Sequence, residues 1–599
     1  MRQPLKRISL IAICLLLTAT IAHAQVSDPE RALRRIDGFI EQIMTDWHVP
    51  GLAVTVVKDS LVVFSRGYGL RDTESGQEVT PRTLFAIGST SKAFTTVAMG
   101  MLIDDGMLDW DEPVRTYLPT FRMWDTFATE RMTPRDLVTH RSGLPRHDAM
   151  WYNSPLTRKE IFDRLQYLEP SEDFRTTFQY QNIMLMTAGY LVGQMSGGSW
   201  EAFVQRRIFD PLGMTRSIFS VTMMAQADDA ATGYRWDDDE EELVSMPYRN
   251  IDTIGPAGSI NSSVEDMANW LMLHLNKGKF GGEQLISESQ LRQMHTPYMA
   301  ISSPASTPEM PTSAYGLAWF VQPYRGHFRV QHGGGIDGFT ARVSLMPIDG
   351  IGIVVLTNLS GTPAPSFIEF GIIDRLLDLD TIDWSGKAIE AREKAEQEKK
   401  EKEEEGKEEE ERVEGTHPSH DLEAYTGTYE HPGYGRATVE LKDGALKINY
   451  NDLSSTLEHW HYEIFQATDE LVMENMKVTF ITNVKGDVEE LSVPLQPGVS
   501  EIVFKRVPEV SMSDPEFLSQ FVGSYAMGEA IVTVTLQGDV LKMEVPGQPV
   551  YTLEPYKDTE FRLKGLVGFS AVFVLEGGRV TALKSVQPNG TFTLKRIEK

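Results

Sequence analysis

Along the chain the rhythm of apolar and polar positions changes three times. Gly51 to Arg66 carries two β-rich apolar runs, LAVTVV and LVVFS, around Lys58-Asp59-Ser60, which predicts strand, turn, strand. Ser91 to Asp104 sets Ala93, Phe94, Val97, Met101 and Leu102 at helical spacing, which predicts a helix with one apolar stripe. Arg329 to Leu345 and Ile351 to Asn358 read as further strands, joined through Pro347-Ile348-Asp349-Gly350. Strands at both ends with helices between them predict an α+β domain, an antiparallel sheet with helices whose first and last strands pair.

The pattern then stops. Lys387 to Glu414 holds thirteen Glu and eight Lys or Arg with almost no apolar residue, so it cannot bury a core and reads as a solvated helix or disordered linker. Beyond it come short alternating strands with Asp-Gly, Gly-Asp, Gly-Gly and Asn-Gly turns. They fall into two similar segments. Tyr425-Thr-Gly-Thr-Tyr429 matches Phe521-Val-Gly-Ser-Tyr525, Val439 to Lys447 matches Val534 to Lys542, and Phe504 to Val507 matches Leu594 to Ile597. A repeat of this kind predicts two all-β modules, each a meander or small barrel. The divisions are 1–24 leader, 25–384 main domain, 385–417 linker, 418–509 first module and 510–599 second module. Each module is expected to fold by itself and to hold no catalytic residue, so that a fragment ending near Trp384 keeps small-ester hydrolysis.

Composition and charge narrow the function. The net charge of −28 would repel a polyanion, and no Lys/Arg cluster offsets it, so nucleic acid is not an expected partner. Arg2, Lys6 and Arg7 precede the apolar stretch Ile8 to Ile21 and Ala22-His23-Ala24, the layout of an export signal that is short for a membrane span. The expected location is therefore periplasmic or extracellular, with no stable membrane span after cleavage. The single cysteine, Cys14, lies inside this stretch, which leaves the mature chain no disulfide, thiol nucleophile or cysteine ligand.

Three segments carry candidate chemistry. In Phe85-Ala-Ile-Gly-Ser-Thr-Ser-Lys92, Ser89 and Lys92 stand three apart at the start of a helix, on one face. A serine hydroxyl needs a base, and a lysine of lowered pKa can serve, while the helix start offers a backbone N–H to an oxyanion. In Phe178-Gln-Tyr-Gln-Asn182, Tyr180 can relay a proton and Asn182 can hold a substrate amide. In Val330-Gln-His-Gly-Gly-Gly335, His332 is expected to line the site, and Gly334 and Gly335 to let a substrate backbone approach the strand. The glycine run lacks a following Lys-Ser/Thr, so it is no phosphate loop. His459-Trp-His461 has no third ligand at a suggestive spacing, and His140 and His147, beside Gly143-Leu-Pro145, read as structural. No cofactor or metal is expected.

In this order the three segments resemble the active-site set of the penicillin-recognising serine hydrolases: S-x-x-K, Y-x-N, [KH]-x-G. Thr139-His-Arg-Ser-Gly-Leu-Pro145 is similar to that family's THTSGLP segment, and Ser196-Gly197 with Ile208-Phe-Asp-Pro-Leu-Gly-Met214 to its SG…IFEPLGM stretch. Tyr315 to Trp319 and Gly338-Phe339 fit as well. The resemblance spans residues 30 to 375 and points to the class C β-lactamase-like branch, which also holds esterases and D-amino-acid peptidases. The two modules resemble lipocalin-like domains appended to some of those peptidases. The resemblance implies a β-lactamase/transpeptidase-like fold and an acyl-serine mechanism. Ser89 would be the nucleophile, Lys92 and Tyr180 would move its proton, Asn182 would hold the acyl side, and the N–H groups of Ser89 and Gly335 would form the oxyanion hole.

His332 stands where typical β-lactamases of this branch carry lysine. An imidazole of ordinary pKa, about 6.5, is mostly neutral at pH 7.5. Esters or amides without a carboxylate beside the scissile bond are then the expected substrates, and His332→Lys is expected to improve β-lactam acylation. A β-lactamase or DD-carboxypeptidase, and a non-catalytic penicillin-binding sensor, are the alternative functions. The expected partner is a small-molecule or peptide substrate, and the modules could also mediate homo-oligomer formation.

Overall fold

The computed structural model describes residues 29–302, 307–404, 412–468, 475–508 and 510–597. The leader expected over residues 1–24, with Cys14, lies outside the described residues. Among the described residues no helix is long and apolar enough to cross a membrane.

The main domain is built on a nine-stranded antiparallel sheet. Its order runs Met299–Ile301, Ser313–Tyr315, Phe320–Val321, Val330–Ile336, Phe339–Met346, Ile351–Thr357, Gly51–Lys58, Leu61–Asp72, Gln77–Glu78. The first long strand pairs with the last, Val54 opposite Val355, as the sequence predicted. Gly51–Lys58 is buried on both faces because helices cover both. Leu52, Val54 and Val56 pack with Ile36, Ile40 and Ile43 of the Ile36–Asp46 helix and with the Ala364–Leu376 helix. Ala53 and Val57 face the opposite core, with Leu271 of the Val264–Leu275 helix. That helix sits so close that a Cβ on Gly352 would lie 3.1 Å from Leu271.

The predicted helix runs Lys92–Asp104 and is preceded by a 3₁₀ turn, Gly88–Ser91. It differs from an amphipathic surface helix, since every residue from Lys92 to Leu102 is buried. It runs through the middle of the domain, against the Ile183–Ser196 helix and the Gly255–Gly258 turn. The polar positions off the apolar stripe tolerate this because they are small and satisfied. Thr95 Oγ1 donates to the Pro256 carbonyl at 2.7 Å and Thr96 Oγ1 to the Ala93 carbonyl at 2.9 Å.

After the sheet the Glu/Lys-rich segment is helical up to Glu404, in a helix Trp384–Glu404 anchored by the Trp384 Nε1 bond to Tyr324 Oη at 3.1 Å and exposed from residue 391 to 401, and residues 405–411 of the segment lie outside the described residues. The two modules are closed eight-stranded barrels. Each closes by pairing its first strand with its last, Tyr429 opposite Arg506 in one and Tyr525 opposite Arg596 in the other. The repeated residues perform the closure. Arg506 bonds the Ala424 and Thr426 carbonyls, and Arg596 bonds those of Val522 and Val580. Each guanidinium lies 3.0–3.2 Å from where a Cβ on Gly427 or Gly523 would be, which is why the motif keeps a glycine there. Tyr429 and Tyr525 each donate a hydroxyl to the carbonyl four residues earlier, at 2.8 and 2.7 Å.

The barrels differ in what they touch. The second has its own core, around Phe521, Tyr525, Phe561 and Phe573. The core of the first is continuous with that of the main domain. Tyr450 Oη donates to the Ala149 carbonyl at 2.9 Å, Asn451 Nδ2 to the carbonyls of Ala149 and Tyr152 at 3.1 and 3.0 Å, and the Asp452 N–H to Asn153 at 3.2 Å.

Candidate active site

Five separate segments converge on Lys92. The Gly88–Ser91 turn brings Ser89, the only one of its residues that is not fully buried. The start of the Ile183–Ser196 helix brings Asn182 as its N-cap residue, and the Gln181 side chain fixes that start by accepting the Met184 N–H at 2.9 Å. The Gly255–Gly258 turn supplies the carbonyl of Ala257. The Val330–Ile336 strand packs against the Ile87–Gly88 backbone, and the loop 144–153 brings Arg146 and Asp148 near. The Ile87–Gly88 backbone touches the strand directly: a Cβ on Gly334 would lie 2.0 Å from the Ile87 carbonyl oxygen, and one on Gly88 2.8 Å from the Gly335 nitrogen. Gly334 therefore serves contact between turn and strand, where the sequence suggested room for substrate. The Cβ direction of Gly335 is open, and its nitrogen lies beside the turn that carries Ser89.

Lys92 Nζ lies 2.8 Å from each of three acceptors, Ser89 Oγ, Asn182 Oδ1 and the Ala257 carbonyl. As an ammonium it has a donor for each. Burial pulls its pKa well below the ordinary lysine value, the nearby Arg146 cation lowers it further, and Asp148 opposes. Deprotonated, the amine keeps two N–H bonds, to Asn182 and Ala257, and turns its lone pair to Ser89. The same burial raises the Tyr180 phenol far above its ordinary value, against a lowering hydrogen bond with Ser89. Tyr180 is thus a neutral phenol, its ring centroid 4.9 Å from Lys92 Nζ.

His332 is where the structure departs most from the sequence reading. It is buried, with 2% of its surface exposed. Nδ1 lies 2.6 Å from its neighbour's carbonyl, Gly333, and Nε2 2.9 Å from Tyr315 Oη. Tyr315 Oη in turn lies 3.2 Å from His140 Nε2, and His140 Nδ1 accepts the Gln181 N–H at 3.3 Å. One set of protons satisfies the chain: His140 Nε2–H to Tyr315, Tyr315 O–H to His332 Nε2, His332 Nδ1–H to Gly333. Both imidazoles are neutral. Burial, then Lys92, pushes His332 down to about 3 and His140 well below its ordinary value. His332 gives a substrate neither charge nor donor. A lysine at 332 would put a second ammonium into this interior beside Lys92, so the expected gain for β-lactams does not follow from the geometry. His140 and its neighbours instead form a buried support, its ring centroid 4.3 Å from that of Tyr180.

Two residues absent from the sequence-based set complete the site. Asp148 Oδ1 accepts from Asn182 Nδ2 at 3.2 Å and from Trp151 Nε1 at 2.8 Å, while Oδ2 accepts from Arg146 Nε. Arg146, whose side chain is 53% exposed, is the cation at the mouth, its guanidinium 5.5 Å from the Tyr180 ring centroid. Between them His147 adopts a left-handed φ of 49°, an uncommon conformation for a residue with a Cβ. The first barrel holds it there. Tyr434 Oη lies 2.7 Å from His147 Nδ1, Gln496 Oε1 accepts the His147 N–H, and His147 Nε2 meets the Glu169 carbonyl at 2.9 Å. The only sequence signal for this loop was its neighbourhood, Gly143-Leu-Pro145. His459 and His461 lie far along the first barrel, bonded to the Tyr462 carbonyl and the Val413 N–H.

Comparison with known proteins identifies the family of the main domain. The β-lactamase family model matches residues 36–375, and a domain family of unknown function matches residues 411–506, the first barrel. A curated relative, unguisins hydrolase ungD' of Aspergillus campestris, is 31% identical over 434 residues, covering 69% of this chain and 78% of its own. Protein flp of Staphylococcus aureus strain N315 is 29% identical over 346 residues, 56% of this chain and 65% of its own. Among solved structures, the octameric penicillin-binding protein homologue from Pyrococcus abyssi shares the fold, with a TM-score of 0.52 at 23% identity over 79% of this chain and all of its own.

Proposed function

The chain belongs to the β-lactamase family, and we propose that it is an exported serine hydrolase that cleaves ester or amide bonds through an acyl-serine intermediate. The observation that carries this reading is the 2.8 Å contact between Ser89 Oγ and a lysine amine whose pKa burial has lowered. A relative at 31% identity is itself named a hydrolase.

In this reading Lys92 takes the Ser89 proton as Oγ attacks the substrate carbonyl. The negative oxygen of the tetrahedral intermediate meets the N–H groups of Ser89 and Gly335. Tyr180 delivers a proton to the departing alkoxide or amine and is reprotonated from Lys92. Water then attacks the acyl-serine by the reverse route, returning the proton to Ser89. Asn182 holds Lys92 through Oδ1 and faces the acyl group, and Asp148 holds Asn182. The neutral, enclosed His332 disfavours the β-lactamase and DD-carboxypeptidase alternatives, since it offers no cation to a carboxylate beside the scissile bond. Esterase or D-amino-acid-type peptidase activity is the better match.

Ser89→Ala is expected to abolish hydrolysis of p-nitrophenyl acetate and labelling by a fluorophosphonate probe, with the melting temperature unchanged. Tyr180→Phe is expected to lose on the order of 100-fold in kcat. Full hydrolysis by the Ser89→Ala protein would overturn the mechanism.

A further inference from the structure

At the seam between the main domain and the first barrel lies a pocket of about 350 Å³. Ala149 and Tyr152 line it from the active-site loop, and Tyr450, Leu453, Met476 and Leu495 from the barrel. Asp148 belongs both to its wall and to the hydrogen-bond chain that leads through Asn182 and Lys92 to Ser89. The pocket therefore begins three hydrogen bonds from the hydroxyl that would attack.

Its surface is apolar for a specific reason: the polar atoms of its wall are engaged elsewhere. Tyr152 Oη donates to Asp337 at 2.6 Å and Tyr450 Oη to the Ala149 carbonyl at 2.9 Å, so both tyrosines present carbon to the cavity. The Asp148 oxygens are taken by Asn182, Trp151 and Arg146. Leucine and methionine make up the rest. A charged or hydrogen-bonding group entering here would lose water and find no free partner among the described residues, whereas an alkyl or aryl group would lose only contact with water.

We propose that this seam is the acyl-side specificity pocket of the enzyme, built jointly by the two domains, and that it takes an apolar alkyl or aryl portion of the substrate's acyl group. The assignment rests on the acyl-serine reading of Ser89. It places the pocket on the Asn182 side of the nucleophile, and it gives the first barrel a part in substrate selection. Among the described residues the second barrel bonds the first barrel instead: Arg562 bonds Glu489 and Tyr556 bonds Asp487.

The test is a series of p-nitrophenyl esters from acetate to octanoate, with phenylacetate, on the full-length protein. The wild type is expected to show kcat/KM rising with acyl length. Leu495→Trp fills the cavity from a half-buried loop position and is expected to lower the octanoate-to-acetate ratio by about 10- to 100-fold, the worth of one well-buried apolar side chain. Met476→Trp fills it from another element and is expected to act in the same direction, which guards against a folding defect in either variant. Fluorophosphonate labelling of Ser89 is read in parallel. Labelling with an unchanged ratio in both folded variants would overturn the pocket and leave the hydrolase reading standing. Absence of both labelling and ester hydrolysis in the wild type would overturn the acyl-serine reading, and the pocket with it.

Discussion

The two barrels are copies of one sequence pattern with the same strand order and the same closing arginine and tyrosine, yet among the described residues it is the first that bonds the loop of the candidate site. The difference comes from a few side chains at one end. In the first barrel Phe504 packs against Tyr434 and Tyr450, whose hydroxyls meet His147 and the Ala149 carbonyl of the loop that carries Arg146 and Asp148. In the repeat alignment the second barrel has Val545 and Leu594 where the first has Tyr450 and Phe504. The smaller residues leave a cavity of about 370 Å³, lined also by Met527, Tyr551, Leu566 and Phe592. The two barrels thus share a framework and differ in the residues at one rim, aromatic in the first and aliphatic in the second at these two positions. The lesson is that framework residues and interface residues in a small barrel are separable sets.

Truncation tests this contrast most severely. A chain ending at Pro508 lacks only the second barrel and is expected to keep ester hydrolysis within about twofold. A chain ending at Glu404 also loses the clamp on His147, Ala149 and Tyr152. It is expected to lose on the order of 100-fold or more in kcat/KM, because a displacement of about 1 Å in positioning groups has that effect. Equal activity of the two fragments would dissolve the distinction between the barrels.

Acid gives a second, graded probe. Burial pushes His147 down to about 4 from an ordinary value of 6.5. Once the barrel undocks, the imidazole loses the part of its burial that the barrel supplies and its pKa rises, so below pH 6.5 the undocked form binds more protons. Docking is then at full strength above pH 6.5 and weakens as pH falls toward 4. The second barrel has no histidine between residues 510 and 599 and lacks this dependence. Hydrogen exchange at pH 7.5 and 5.0 is expected to show lost protection around Tyr434 and Tyr450 well before Tyr525 and Val534. Simultaneous loss in both would argue against His147 as the sensitive group.

The smallest effect is expected at the barrel–barrel contact. The Arg562–Glu489 pair, 2.7 Å apart, is partly exposed on both sides. Such pairs contribute up to about 1 kcal/mol. Arg562→Ala is expected to leave ester kinetics unchanged and to shift the melting transition only slightly. A large kinetic effect would show that the second barrel reaches the site through the first.

What the amino-acid order determined by itself was whatever depends on short-range pattern. The division into main domain, charged helix and two barrels follows from periodicity and composition. So does the pairing of first and last strands, and Ser89, Lys92, Tyr180, Asn182 and the glycine strand are named by motifs a few residues long. Tertiary structure alone decided burial and contact between distant segments. The spacing of Ser89 and Lys92 could not show that Lys92 sits in a helix buried on every side, which is what lowers its pKa. The motif could not show that His332 turns inward to Tyr315. Nor could any local pattern join His147 to Tyr434 or Gln496, which are 287 and 349 residues away in sequence. Desolvation and docking are properties of the assembled interior. They set the charge on Lys92 and His332 and brought Arg146 and Asp148 to the site, because a side chain's surroundings are supplied by segments that the chain brings together only on folding.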